Sequence, residues 1–334
     1  MKEQIIIYGA GMTGTRVYNY LKFEYEVIGF VDKDKKKWGM NIDGIKVYSP
    51  ETLKEHGQVL VVIASIFYHE ILEDIKQYDL KDVCVFQTEM KRYLPNSVLE
   101  HLDNHTIDLG HFLGKNPIMK CKELTFIPGG SGILDYFFLK QLAEHYSCRK
   151  YVEIGTYIGE SVNVLTDCCE ELYCITAPLD AEYSMRNWCR SHEMPDYSGR
   201  LTQSSKIKHF YTNSREFDFD IIPQDIDLFF IDGDHSYEGV ASDTRNIFKI
   251  KSKNAIVVWH DFKLGRNEYN VEVVRAVSDV LLDDFKNIYV TNNNICGIYL
   301  PDKYKKEFEL KGRGYEIGGE LYAYDTILAG KVLR

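Results

Sequence analysis

The chain has 334 residues, more than one hydrophobic core usually serves, so two domains are expected. Its formal net charge of −10 argues against a general binder of nucleic-acid backbones, which needs a basic face. Hydrophobic residues make up 45%, and neither glycine nor proline is enriched, which speaks against a disordered chain.

The start, "MKEQIIIYGAG", has no signal-peptide pattern, and no apolar run approaches the roughly 20 residues that cross a bilayer. A cytoplasmic protein with no membrane span is the expectation. Eight cysteines are scattered along the chain with no CxxC pair. They read as reduced thiols rather than a disulfide framework or a zinc knuckle.

In chain order, "QIIIY" (4–8) is a short apolar strand followed by "GAGMTG" and then "TRVYNYLKF" with helical spacing. "YEVIGFVD" is a second strand, closing on Asp32, and "KDKKKWG" is a solvated turn. "GIKVY" is a strand, and Ser49-Pro50-Glu51 marks a helix start. "QVLVVIAS" is a continuous apolar strand of the kind a parallel sheet covers on both faces. "YHEILEDIKQY" is a helix and "DVCVFQ" a strand. This alternation predicts a Rossmann-like unit over residues 1–92.

Residues 93–128 hold Pro95, Pro117 and Pro128 and read as a connector with some helix. The helix "ILDYFFLKQLAEHY" then opens a second α/β series. Its strands are "KYVEIG", "LYCITAP", "IKHFYTN", "IDLFFIDGDH", "AIVVWHDF", "NIYVTNN" and "ICGIYLP". A full doubly wound domain is expected over residues 129–334.

Two glycine-rich turns carry chemistry. Gly9, Gly11 and Gly14 lie between a strand and a helix, and Asp32 ends the next strand. This is the dinucleotide fingerprint: a tight turn, close backbone approach to a pyrophosphate, and a carboxylate for ribose hydroxyls. A Rossmann turn that binds nothing has the same spelling. In "VEIGTYIGES", Glu153 ends a strand, and Gly155 and Gly159 shape the turn into a helix. There the glycines would let an amino-acid group lie on the backbone while the carboxylate meets its ammonium.

Two later strands end in ionisable residues: Asp232, Asp234 and His235 on one, His260 and Asp261 on the other. Ligands of doubly wound sheets bind at the carboxyl ends of strands, so both sets could meet in one cleft. The bland alternative is strand-end capping and turn formation, and Asp234 reads best as a residue that orders the loop.

"VEIGTYIGES", "FFIDGDHSYEGVASD" and "AIVVWHDF", in this order, resemble the class I S-adenosylmethionine (SAM)-dependent methyltransferases, most closely the small-molecule and sugar O-methyltransferases with a "DGDHSYEGV" signature. The resemblance implies an α/β protein with two Rossmann-like doubly wound domains, the C-terminal one of class I methyltransferase fold. It implies a SAM site formed by Glu153, Gly155, Gly159 and Asp232, with Asn213 and Ser214 near the adenine. Asp232 and Asp261 stand where some relatives place metal ligands. His235 stands where metal-dependent macrolide-sugar methyltransferases place a base. His260 falls where those relatives carry an acid and completes a candidate metal set, although hard cations such as Mg²⁺ prefer oxygen. An acid that usually ends the second strand and holds the ribose is replaced by Thr176 or Ala177, so either Asp180 reaches back or the ribose is held more weakly.

The first ninety residues resemble Rossmann-like domains attached to bacterial sugar-modifying enzymes, some of which hold a nucleotide-sugar. The expected function is methylation of a hydroxyl on a sugar or nucleotide-sugar-linked metabolite in surface-polysaccharide or related biosynthesis. His235, Asp232 and Asp261 are the expected catalytic residues, and a divalent cation is an optional addition. The expected partners are small molecules, not nucleic acid, with self-association left open. Two other readings stand beside it: a binding protein on a degenerate methyltransferase fold, and a nicotinamide oxidoreductase using "GAGMTG".

Overall fold

The computed structural model describes residues 2–65, 67–86, 94–114, 119–125, 127–265 and 268–304. Its contacts divide the chain into two units. One is built from the part up to Asn96 together with Glu268–Ala276; the other from Ser97–Asn267 and the part from Val277 onwards.

The first unit's strands are β1 (Glu3–Tyr8), β2 (Tyr25–Val31), β3 (Asn41–Ile42), β4 (Ile45–Tyr48), β5 (Leu60–Ile63) and β6 (Val83–Val85). They form one sheet in the order β3-β4-β2-β1-β5-β6, parallel except for the β3–β4 pair. The apolar run Ile5–Tyr8 makes β1 a central, buried strand. The expected helix after Pro50 is a 3-10 helix, Pro50–Glu55. The "GAGMTG" turn leads from β1 into the helix Met12–Leu21, and the strand order reverses at β1.

The second unit contains β7 (Thr106–Ile107), β8 (Lys150–Ile154), β9 (Glu171–Thr176), β10 (Ile207–Tyr211), β11 (Leu228–Ile231) and β12 (Ile256–Trp259). It also contains β13 (Lys263–Gly265), β15 (Ile288–Thr291) and β16 (Gly297–Tyr299), whereas the short β14 (Glu268–Tyr269) falls in the first unit. The main sheet runs β10-β9-β8-β11-β12-β16-β15-β7. Strands β8 to β12 are parallel, and β16 lies antiparallel between β12 and β15. This is the doubly wound arrangement that the strand pattern predicts, with β8 at the reversal of strand order. β7 comes from the stretch read as a connector and pairs with β15; two residues are too few to show a period.

Apolar runs explain the centre of this sheet: all four residues of β11 and of β12 are buried. The helix Ile133–His145 packs Phe138, Leu139 and Leu142 into the same core. The helix Tyr237–Ile250 starts at Ser236, whose hydroxyl accepts from the Gly239 N–H, and buries Val240, Ala241 and Ile247. That cap sets where the loop ends and fixes the direction in which residues 232–235 leave β11.

Candidate active site

Three strand-end turns are knitted together by their backbones. Gly155 N–H donates to Ile175 O at 2.8 Å, and Asp232 N–H donates to Ile154 O at 2.8 Å. Gly155 has a positive φ of 91°, and a Cβ there would lie 2.0 Å from the Asp232 carbonyl oxygen. Glycine is therefore required here by the contact of two turns of the protein alone, whatever ligand approaches it. Gly159, with φ 96°, is similarly close-packed: its Cβ would meet the Thr202 methyl at 2.6 Å.

The turns after β8, β9, β10 and β11 line a cavity of about 540 Å³. Gly155, Gly159, Asn213, Ser214, Asp232 and His235 all line it. Glu153 and Asp180 do not. Glu153 is fully buried beneath the turn and accepts hydrogen bonds from Tyr151 Oη and Ser161 Oγ, both at 2.8 Å, and from the Thr156 hydroxyl. Burial raises its pKa to about 7 against the pull of these donors. A carboxylate so enclosed ties β8 to the following turn and helix and cannot reach an ammonium in the cavity. Asp180 is exposed, on the far side of Leu179 in sequence.

The carboxylate that does reach this part of the cavity is Glu160, missed in the sequence although it lies within "VEIGTYIGES". It accepts from Tyr136 Oη at 2.7 Å and from the Thr125 N–H. Its signal was present: an acid directly after Gly159, at the start of the helix Glu160–Asn163.

Asp232 and His235 carry the cavity into a polar cluster. His235 Nε2 lies 3.2 Å from Asp232 Oδ1 and 3.2 Å from Asp261 Oδ2. His260 Nδ1 lies 3.0 Å from Asp232 Oδ1 and 3.6 Å from Asp261 Oδ2, and its Nε2 is 3.3 Å from Asp135 Oδ2. Ser131 Oγ donates to Asp232 Oδ2 at 3.3 Å. The two strand ends thus converge as expected. Asp234 instead accepts from Ser236 N–H and Oγ, at 2.9 Å each, and pairs with Arg215 at 2.6 Å, so it orders the loop. Asp261 holds a left-handed backbone, φ 49°, which costs a residue with a Cβ about 1 kcal/mol.

Burial opposes charge on both carboxylates, but the histidines outweigh it. The His260 charge and the hydrogen bonds of His235 and His260 hold Asp232 well below the usual carboxylate range. His260, through its hydrogen bond and charge, and then the charge of His235 do the same for Asp261. Burial pulls His260 down, yet the Asp232 charge and three carboxylate contacts raise it well above an ordinary histidine. Burial also lowers His235, and Asp232 followed by Asp261 raises it overall.

Both nitrogens of His260 face carboxylate oxygens, and it falls outside the cluster of candidate ligand atoms formed by Asp232, His235 and Asp261. This corrects the placing of His260 in the metal set. Asp232, His235 and Asp261 do present ligand atoms within 4.8 Å of one another, and two carboxylates with one imidazole fit a divalent ion. Asp135 was also missed. It lies 125 residues from His260 and reads in sequence as part of an apolar helix.

In the first unit, Gly9 has φ 120°, and a Cβ there would lie 2.5 Å from Ala64 O. A Cβ on Gly14 would lie 1.8 Å from Gly9 O, whereas the nearest atom to one on Gly11 is Lys37 Nζ at 3.9 Å. Asp32 Oδ2 accepts from Ala10 N–H at 2.8 Å and Lys37 Nζ at 2.9 Å, and its Oδ1 accepts from Asp34 N–H at 2.8 Å. Burial works against its charge, but Lys37 and these backbone donors keep its pKa low.

Residues 152–262 match the family model described as a methyltransferase domain, and residues 1–85 match one described as C2185-like, N-terminal. An uncharacterized protein of Acanthamoeba polyphaga mimivirus is 28% identical over 153 residues, 45% of this chain and 68% of that protein. Among solved structures, UDP-D-quinovosamine 4-dehydrogenase from Vibrio fischeri shares 29% identity at a TM-score of 0.23, over 25% of this chain and 78% of its own. A methyltransferase from Podospora anserina, solved with bound S-adenosylhomocysteine, shares 14% at a TM-score of 0.38, over 63% of this chain and 89% of its own. The part of the second unit that matches the methyltransferase-domain model, residues 152–262, runs from β8 to β12, and the cavity lies at the ends of β8 to β11. Among the described residues, no helix is long and apolar enough to cross a membrane.

Proposed function

We propose that the protein transfers a methyl group from SAM to a hydroxyl of a sugar or nucleotide-sugar-linked metabolite, with His235 as the base. The observation that carries this is His235 on the cavity wall, its Nε2 held between Asp232 and Asp261 at 3.2 Å from each. Two carboxylates on one ring nitrogen keep a proton there and leave Nδ1 as the basic atom. The same charges raise the basicity of the ring. A sugar hydroxyl is a weak nucleophile at neutral pH, so a positioned base is what the transfer requires.

SAM supplies an electrophilic methyl on a sulfonium. Gly155 and Gly159 shape the turn that would face its amino-acid part, and Glu160 is the carboxylate beside that turn which lines the cavity. The acceptor oxygen would bond to the methyl carbon as the sulfur–methyl bond breaks with its electron pair left on sulfur, giving S-adenosylhomocysteine, while His235 takes the hydroxyl proton and Asp232 and Asp261 stabilise the imidazolium. Methyl transfer is an in-line displacement, so the rest of the site serves to position the two reactants. A divalent ion held by Asp232, Asp261 and His235 would lower the acceptor hydroxyl's pKa. His235 would then be a ligand, and the base would have to come from elsewhere.

The test is incubation with SAM and a panel of nucleotide-sugars, read by mass spectrometry for methylated product and S-adenosylhomocysteine. Activity that survives rigorous chelation assigns the base to His235 without a metal; activity lost with EDTA and restored by Mg²⁺ or Mn²⁺ assigns the cluster to an ion. A protein that binds SAM and methylates nothing on the panel favours the non-catalytic binding reading. We propose also that the first unit holds the nucleotide part of a nucleotide-sugar at Gly9, Gly11, Gly14 and Asp32, with NAD as the competing ligand. The open face at Gly11, with Lys37 beside it, supports this.

A further inference from the structure

Asp135 lies in the first turn of the helix Ile133–His145, where an acid ordinarily caps the helix at the surface. It does cap: its Oδ2 accepts from Gly132 N–H at 2.8 Å. Yet Asp135 is only 3% exposed. Burying a carboxylate costs far more than a helix cap returns. The cap alone does not account for this residue, so the rest of its surroundings must.

Those surroundings lead to the cluster at β11 and β12. Asp135 Oδ2 lies 3.3 Å from His260 Nε2. His260 turns its other nitrogen, Nδ1, to Asp232 Oδ1 at 3.0 Å, and that oxygen is 3.2 Å from His235 Nε2. Asp135 thus stands at the back of a file that runs through His260 and Asp232 to His235. Turning the His260 ring over about its Cβ–Cγ bond would put carbon where each nitrogen now faces a carboxylate. Only the observed orientation serves both carboxylates, and Asp135 holds the ring to it from the side away from Asp232. Asp135 is itself fixed: besides the Gly132 bond, its Oδ1 lies 3.5 Å from both Ile295 N and Cys296 Sγ. It does not line the cavity.

We infer that Asp135 is a positioning residue for methyl transfer, which sets the orientation of His260 and through it the placing of Asp232 against His235. Because it touches neither reactant, it acts on turnover and leaves cofactor binding alone. The inference rests on the methyltransferase reading of the cavity, with His235 at its wall.

The test compares kcat and KM of the wild-type protein, Asp135→Ala, Asp135→Asn, His260→Ala and the Asp135→Ala/His260→Ala double variant, with circular dichroism of each to confirm the fold. Alanine removes the contact, and kcat should fall by ~10-fold or more while KM for SAM stays within about twofold. Asparagine returns an oxygen to Gly132 N–H and His260 and should recover most of the turnover. With His260 already replaced, Asp135→Ala should lower kcat by no more than about twofold further, because its route is gone. Should Asp135→Ala fail to fold, Asp135→Ser takes its place, with a polar atom in the first turn but one bond short of His260. A second readout needs no turnover: the ring-nitrogen signals of His235 in ¹⁵N spectra should shift in Asp135→Ala, although Asp135 does not touch that ring. Unchanged kcat in a folded Asp135→Ala, a full further loss in the double variant, or unmoved His235 signals overturns the inference and leaves the methyltransferase reading intact. A wild-type protein that methylates nothing overturns that reading, and the ring signals then decide alone whether Asp135 positions the cluster.

Discussion

The two glycine-rich turns look alike as spelling and differ as objects. In the second unit both glycines are crowded by the protein itself: Gly155 by the Asp232 carbonyl, Gly159 by Thr202. In the first unit Gly9 and Gly14 are crowded in the same way, but Gly11 faces open space with Lys37 at its edge. The carboxylates after these turns differ too. Glu153 is sealed beneath its turn, while Asp32 stays partly exposed and accepts from the Ala10 N–H, Asp34 N–H and Lys37, which leaves it room for a further donor. A glycine in a motif is thus no proof of ligand approach, and an acid at a strand end is no proof of a ligand contact. What decides is whether the protein has already filled the space and the lone pairs.

The sharpest way to break this comparison is by substituting the glycines. Gly155→Ala should cost about 3 kcal/mol or more in urea denaturation, because a Cβ meets backbone and the φ of 91° disfavours it. A variant of near wild-type stability that merely lost SAM binding would restore the ligand-approach reading.

Glu153 sharpens the comparison through pH. Its folded pKa, about 7, lies above the ordinary 4.5, so between these values the folded protein binds the proton more tightly than the unfolded chain. Its contribution to stability is therefore present below pH 4.5 and lost as pH rises through about 7. Stability should fall across that window by up to ~1.4 kcal/mol per pH unit from this group, and Glu153→Gln should remove that slope. Parallel curves for the two proteins would mean that Glu153 is solvated.

Gly11→Ala should be the mildest change, within about 1 kcal/mol of wild type, since its Cβ meets nothing nearer than 3.9 Å. Its effect should appear instead as weaker binding of a nucleotide-sugar, with SAM binding unchanged. If it destabilised the protein as Gly155→Ala does, the first turn would be a packing device like the second.

What was legible in the sequence follows from range. The strands of both sheets are apolar runs, and the caps and turns between them are local spellings, so the α/β alternation could be read directly. Asp232, His235 and Asp261 were legible because ionisable residues directly after a buried strand stand out. Asp135 was not, because it meets His260 only when a helix far back in the chain packs against β12 and β16. Glu153 was misread because direction decides its role: its side chain turns to Tyr151, Thr156 and Ser161 rather than to the cavity.

The claim that the cluster at β11 and β12 does chemistry is tested most directly by His235→Ala, assayed for methyl transfer to the accepted sugar and, separately, for S-adenosylhomocysteine binding. Loss of a positioned base should lower turnover by ~100-fold or more while affinity stays within about twofold of wild type. Unchanged turnover would make His235 a loop residue and contradict the account.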